Sequence, residues 1–189
     1  MKKRPAWVAA LPWSLRKMRY GPATIYKHYQ NEWSDLKEHL PRLRAASRGN
    51  VLEIGTRAGI STAALLLGVE ENGGHVWSVD IDDCSKVFTG HPQWTFIQSD
   101  SRQLTSTAFG SDGIPSFDLF FVDGDHSFEG CLHDLTNYGS HSKVIMVHDT
   151  DCPDTFPGVR QAVEKFLVLY PQRKIEWRHE SFGMAVISL

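Results

Sequence analysis

Val51-Leu52-Glu53-Ile54-Gly55-Thr56-Arg57-Ala58-Gly59-Ile60-Ser61 reads as a strand that runs through a glycine turn into a helix. Val51 to Ile54 is nearly continuous in apolar character, as expected of a strand covered on both faces. Glycine at positions 55 and 59 lets the backbone pass close to a ligand in conformations a side chain would forbid. The spacing is Gly-x-x-x-Gly. Dinucleotide-binding turns use Gly-x-Gly-x-x-Gly and set a helix amino end against a pyrophosphate, so a ligand without that group is indicated.

Outward from this stretch the pattern repeats. Val76–Val79, Trp94–Ile97, Phe117–Val122 and Lys143–Val147 are further strand expectations, with helices over Ile60–Glu70, Glu129–Tyr138 and Gly158–Tyr170. Such alternation predicts an open α/β sheet. Lys174–His179 and Met184–Ser188, separated by Ser181-Phe182-Gly183, are expected to form a terminal hairpin. Before the sheet, Ile25, Tyr29, Trp33, Leu36, Leu40 and Leu43 recur at helical steps, which predicts amphipathic helix interrupted near Pro41 and covering an edge or face of the sheet.

Ligands of open α/β sheets bind beyond the carboxyl ends of the strands. There the chain places Glu53, then Asp80 with Ile81, 25 residues after Gly55, then Asp100 with Ser101. A carboxylate at Asp80 can accept ribose hydroxyls, and Asp100 or its neighbour can receive an adenine amino group. With Glu53-x-Gly55-x-x-x-Gly59-x-Ser61 followed by these acids, the chain resembles the class I S-adenosylmethionine-dependent methyltransferases over residues 50–189. The resemblance implies a Rossmann-like α/β sandwich of about seven strands, the last inserted antiparallel, behind N-terminal helices. It also implies a donor pocket drawn from Glu53, Gly55, Thr56, Gly59, Ser61, Asp80, Ile81, Asp100, Ser101 and Asp123.

The fourth strand ends in Phe121-Val122-Asp123-Gly124-Asp125-His126 and the fifth in Met146-Val147-His148-Asp149-Thr150. Neighbouring strands lie about 5 Å apart, so these ionisable side chains are expected to converge, a density that marks a site. Methyl transfer to an alcohol needs a base or a metal to make the oxygen nucleophilic. His126 is the candidate base, with Asp123 beside it, and Asp123, His148 and Asp149 are the set able to hold Mg²⁺ or another divalent cation. The segments Asp123-Gly-Asp-His126-Ser-Phe-Glu-Gly130 and His148-Asp149-Thr150 are similar to the branch that contains small-molecule and sugar O-methyltransferases. The metal-dependent sugar enzymes of that branch carry two acids on the fifth strand. Here the pair is His148-Asp149, which opens the site to a transition metal.

A chain of 189 residues with 41% hydrophobic and 22% charged residues suits one globular domain. Residues 1–48 carry 11 Lys/Arg against 3 Asp/Glu and are read as a basic arm and helical cap, with 49–189 as the catalytic domain. Cys84, Cys131 and Cys152 are odd in number and lack Cys-x-x-Cys spacing, pointing to a reducing, cytoplasmic setting. No apolar run approaches the ~20 residues of a membrane span. A small-molecule acceptor is the expected partner, with homo-oligomerisation left open. The basic arm keeps a nucleic-acid acceptor in view, but no Asn/Asp-Pro-Pro-Tyr segment follows the fourth strand to support it. A catalytically silent binding module on the same fold is the third reading.

Overall fold

The computed structural model describes residues 21–109 and 114–189; the basic arm read at residues 1–20 lies outside them. The strands are β1 (Gly49–Ile54), β2 (Gly74–Asp80), β3 (Trp94–Gln98), β4 (Phe117–Val122), β5 (Ser142–His148), β6 (Lys174–Arg178) and β7 (Met184–Ser188). They form one seven-stranded sheet in the order β3-β2-β1-β4-β5-β7-β6. Strands β1 to β5 are parallel, and β7 runs antiparallel between β5 and β6. This is the sandwich that the resemblance implies, with the open α/β sheet and terminal hairpin that the sequence pattern predicts. The order reverses between β1 and β4, and such a switch point leaves a crevice at the strands' carboxyl ends.

Helices α3 (Ile60–Asn72), α4 (Phe128–Gly139) and α5 (Pro157–Leu169) follow β1, β4 and β5. Successive side chains of a strand point to opposite faces, which divides the core in two. Leu52, Phe120, Val122 and Ile145 pack with Leu135 of α4 and Phe166 of α5. Val51, Leu119, Phe121 and Met146 pack on the other face with Leu65 and Leu66 of α3. Both faces are therefore apolar, which explains the unbroken hydrophobic runs in the sequence.

Helix α3 buries residues around most of its circumference, so the sheet alone cannot cover it. Helices α1 (Pro22–Asn31) and α2 (Leu40–Ala46) pack on its outer side through Tyr26, Leu40 and Leu43. Pro41 does not interrupt this cap. It sits in the first turn of α2, where a missing N–H forfeits no helical bond. The break falls earlier, over residues 32–39, where the chain bends so that Leu36 is buried while Trp33 stays 51% exposed. The three cysteines are buried and unpaired. No helix among the described residues is long and apolar enough to cross a membrane.

Candidate active site

At the tip of β1 the Glu53 carboxylate is fully buried and accepts hydrogen bonds from Ser61 Oγ (2.6 Å), Thr62 Oγ1 (2.7 Å) and Ser78 Oγ (2.6 Å). Burial outweighs these three donors and pushes the Glu53 pKa up to about 7. Its oxygens are spent on the first turn of α3 and on β2. Glu53 and Ser61 therefore shape the pocket by fixing where the glycine turn enters the helix. Within that turn Gly55 has φ +95° and Gly59 φ +75°. A Cβ on Gly55 would stand 2.2 Å from the Asp123 carbonyl oxygen, and one on Gly59 2.3 Å from Val87 Cγ1. Side chains are excluded at both positions by backbone conformation and by space.

Asp80 binds the same turn. Its Oδ2 accepts from the N–H groups of Thr56 (2.8 Å) and Arg57 (2.9 Å), and its Oδ1 from that of Asp82 (3.0 Å). A carboxylate offers roughly four lone-pair positions. Three are taken by amides of the turn and of the β2 end, so Asp80 fixes the conformation of the loop it faces. Ile81, the next residue, is 71% exposed, an uncovered apolar side chain beside the crevice. The Asp100 carboxylate caps the 3₁₀ turn Ser101–Gln103 and pairs with the Arg102 guanidinium, which holds its pKa below the usual carboxylate range. The Ser101 carbonyl accepts from the Tyr138 hydroxyl at 2.6 Å. Thr56 Oγ1 is buried and lacks a hydrogen-bond partner among the described residues. The glycine cradle, the unpaired hydroxyl and the exposed Ile81 suit a nucleoside-bearing ligand with both polar and flat apolar surface.

The carboxyl ends of β4 and β5 are neighbours, with Val122 opposite Val147. Just beyond them two histidines face two carboxylates. His148 Nε2 lies 3.2 Å from the Asp35 carbonyl and 3.1 Å from that of Ser181, so that nitrogen carries a hydrogen and donates. Its Nδ1 faces Asp123 Oδ1 at 3.3 Å and Asp149 Oδ1 at 3.5 Å. A bare lone pair against two carboxylates is repulsive, so a proton or a cation must lie between them. Burial opposes charge on His148, but Asp123 and Asp149 outweigh it and raise the pKa to about 9. Burial likewise works against an ionised Asp123, yet the two imidazoles bring its pKa down to about 2.

His126 Nε2 stands 2.8 Å from Asp149 Oδ2 and 3.4 Å from Asp123 Oδ1, as ion-pair contacts that miss hydrogen-bond alignment. Burial again opposes its charge, and the same two acids raise its pKa to about 9. Asp149 adopts φ +61°, a left-handed conformation that costs about 1–3 kcal/mol and recurs at functional sites. Donor atoms of Asp123, His148 and Asp149 all lie within 4.8 Å of one another. Two carboxylates and an imidazole whose other N–H is held by backbone carbonyls are a donor set that fits a divalent cation.

The sequence-derived residues therefore separate into three places: the glycine turn with Asp80 and Ile81, the 3₁₀ turn after β3 with Asp100 and Ser101, and the tips of β4 and β5 with His126. Asp123 joins the first and the last, through its carbonyl against Gly55 and its carboxylate between the histidines. Two neighbours escape the sequence. His39 is fully buried with its ring 5.6 Å from that of His148 and its Nε2 2.8 Å from the Glu180 carbonyl; burial lowers its pKa. Phe156 stacks on His126 with centroids 4.2 Å apart. Nothing in the local spacing of either residue signals this. Only the reach of residues 32–39 and the β5–α5 connection toward the strand tips brings them in.

Fold and site together define a class I S-adenosylmethionine-dependent methyltransferase. The family profile described as "Methyltransferase domain" matches residues 52–150, and the chain belongs to that family. No curated protein matches it in sequence. Among solved structures, the chain is similar to the methyltransferase PaMTH1 of Podospora anserina, bound to SAH, at 14% identity and TM-score 0.60, over 100% of this chain and 97% of that one. CalS11, a TDP-rhamnose 3′-O-methyltransferase of calicheamicin biosynthesis, aligns at 18% identity and TM-score 0.60, over 94% and 86%. MycE of the mycinamycin pathway, in complex with Mg, SAH and mycinamycin VI, aligns at 14% identity and TM-score 0.62, over 96% of this chain and 61% of that one.

Proposed function

We propose that the chain transfers the methyl group of S-adenosylmethionine to a hydroxyl of a small molecule of sugar or natural-product type, with His126 as general base. The observation that carries this reading is the convergence of His126, Asp123 and Asp149 at the tips of adjacent parallel strands, with the Asp123 backbone against the glycine turn. In the reaction the acceptor oxygen forms a bond to the methyl carbon, the carbon–sulfur bond breaks with its electron pair left on sulfur, and the hydroxyl proton passes to imidazole. Asp149 and Asp123 stabilise the imidazolium that results. The named activity of CalS11 supports an oxygen acceptor, and the Mg bound to MycE supports a metal.

Asp123, His148 and Asp149 would hold a divalent cation, which would polarise the acceptor hydroxyl and lower its pKa. Carboxylates engaged in this way hold the proton on His126 less strongly, which brings the imidazole toward the range of a base at neutral pH. Around this centre, Glu53, Gly55, Thr56, Gly59, Ser61, Asp80, Ile81, Asp100 and Ser101 form the donor pocket, either by contact or by setting its shape. Residues 1–48 are read as a basic arm and helical cap, and residues 49–189 as the catalytic unit. The Asp35 carbonyl on His148 supports that division, because the cap reaches the site itself.

The test is an acceptor panel followed by S-adenosylhomocysteine release, before and after EDTA and with Mg²⁺, Mn²⁺ or Zn²⁺ restored. Turnover of a hydroxylated small molecule that falls on chelation and returns with metal is expected. Undiminished turnover in EDTA removes the cation, and methylation of RNA or DNA in place of the panel overturns the acceptor class. Calorimetry separates the donor site, with Asp80→Ala expected to weaken S-adenosylmethionine binding at least tenfold.

A further inference from the structure

The glycine turn carries a cation, Arg57. Arg57 and Ala58 are the two exposed residues of a tight turn closed by the Gly59 N–H on the Thr56 carbonyl at 2.8 Å. Arg57 adopts φ +44°, in the left-handed region that glycine and asparagine fill more readily than arginine. Asp80 holds it there, because its Oδ2 accepts the Arg57 N–H at 2.9 Å as well as that of Thr56 at 2.8 Å. Glycine at this position would relieve the backbone. An arginine that stays in an unfavourable conformation at the edge of a ligand crevice points to a use for its side chain.

That side chain has not been claimed by the fold. Arg57 is exposed, and its guanidinium makes no hydrogen bond or ion pair among the described residues, although Asp80, Asp82 and Asp83 stand at and just after the β2 end that faces the turn. Arg102, by contrast, is taken up by Asp100, and Arg160 by Asp151 and Glu164. Two further groups at the turn are open to an anion. No side chain caps α3 at Gly59, which leaves the first amides of that helix to other acceptors. Thr56 Oγ1, in a residue only 2% exposed, is without a partner among the described residues. Arg57, Thr56 and the amino end of α3 thus gather hydrogen-bond donors around one turn.

We propose that the Arg57 guanidinium binds the carboxylate of the methyl donor, and that this ion pair selects intact S-adenosylmethionine over nucleosides that lack the carboxylate. The proposal rests on the placing of the donor at the glycine turn and is independent of His126. S-adenosylmethionine carries a single anion, at the end of its amino-acid branch. The acids along the crevice, Asp80, Asp123 and Asp149, repel that anion. Arg57 offsets them with a planar fork that matches the two oxygens of a carboxylate. Thr56 Oγ1 and the α3 amides are the neutral donors able to complete its hydrogen bonds. A charge-assisted hydrogen bond of this kind is worth about tenfold in affinity.

Calorimetry on the full chain tests the pairing with two ligands that differ only in the carboxylate, S-adenosylhomocysteine and its decarboxylated analogue S-adenosyl-3-thiopropylamine. Wild type is expected to bind the first about tenfold more tightly than the second. Arg57→Gly, which suits the left-handed backbone, should weaken S-adenosylhomocysteine by about the same factor and leave the analogue unchanged; Arg57→Asn, which tolerates that backbone too, should do likewise. An equal loss for both ligands would make Arg57 part of the turn's shape, and that overturns the pairing. Asp80→Ala, measured alongside, separates the pairing from the donor site itself. If Asp80→Ala weakens both ligands while Arg57→Gly weakens neither, the donor lies at the turn and the pairing alone is overturned. If neither variant alters the binding of either ligand, the donor lies elsewhere, and its placing at the turn fails together with the proposal.

Discussion

Two buried acid clusters lie at the carboxyl edge of the same sheet, and they are compensated in different ways. At β1, Glu53 has three hydroxyl donors and, among the described residues, no cationic partner; at β4 and β5, Asp123 and Asp149 have two imidazoles whose charge depends on what lies between them. Hydroxyl donors are fixed and complete, so the first cluster holds structure. Imidazoles can exchange a proton for a cation or pass one to and from a substrate, so the second can do chemistry. His126→Ala, Asp149→Asn and Glu53→Gln each test that contrast by removing one group from one cluster.

The largest effect is expected from His126→Ala. General-base catalysis contributes about 10²- to 10⁴-fold, so kcat falls by that factor while affinity for S-adenosylmethionine stays near wild type. Single-turnover rates set beside calorimetric binding check it. A parallel loss of donor affinity would place His126 in the donor pocket and erase the distinction between clusters.

Asp149→Asn comes next. Asparagine tolerates the left-handed backbone at position 149, so the change removes charge and little else. It leaves two imidazoles with one carboxylate, and breaking a buried pair costs about 3 kcal/mol. Thermal unfolding in EDTA reads that loss. In the wild type Mn²⁺ should raise the melting temperature, and in Asp149→Asn it should not, because binding to the folded state is what stabilises it. An equal Mn²⁺ shift in both proteins would place the cation elsewhere.

The Glu53 cluster should respond to pH in the opposite sense from an ordinary surface carboxylate. Its folded pKa, about 7, lies above the unfolded value of 4.5. The folded state therefore binds the extra proton between these values, and its stabilising contribution, full below pH 4.5, is lost as pH rises through 7. Linkage makes the loss about 3 kcal/mol. Glu53→Gln should flatten this part of the profile, with the wild-type-minus-variant difference in urea unfolding changing between pH 4.5 and 7. A difference independent of pH would mean that Glu53 is ionised throughout.

The fold was legible because both faces of the sheet are covered: apolar runs such as Phe117–Val122 have no other stable use, and the glycine turn at 55–59 marked the switch point. The gathering of His126, His148 and Asp149 was legible too, since each lies at the carboxyl end of a strand or in the turn that follows it, and parallel neighbours align their ends. What stayed hidden was direction. Strand-end position says that Glu53 is near a ligand, but only the hydroxyls of Ser61, Thr62 and Ser78, two of them on α3 and one on β2, show that its oxygens turn inward. The contribution of residues 32–39 was hidden for a related reason. It acts through the Asp35 backbone carbonyl, a group that every residue carries and no motif records.

Ile81 tests the donor side with the smallest effect. Its side chain is 71% exposed and so contributes little to folding, unlike Glu53 one strand away. If it lies against the adenine of the donor, Ile81→Ser removes apolar surface that is buried only in the complex. At about 25 cal/mol per Å², some 40 Å² is worth about 1 kcal/mol, or about fivefold in Kd. Calorimetry should show that weakening while the urea midpoint is unchanged, and both numbers matter. A shifted midpoint with constant Kd would make Ile81 part of the core. A weaker Kd at constant stability would mark it as surface kept apolar for a ligand, which neither acid cluster can show, because every acid in them also holds the fold.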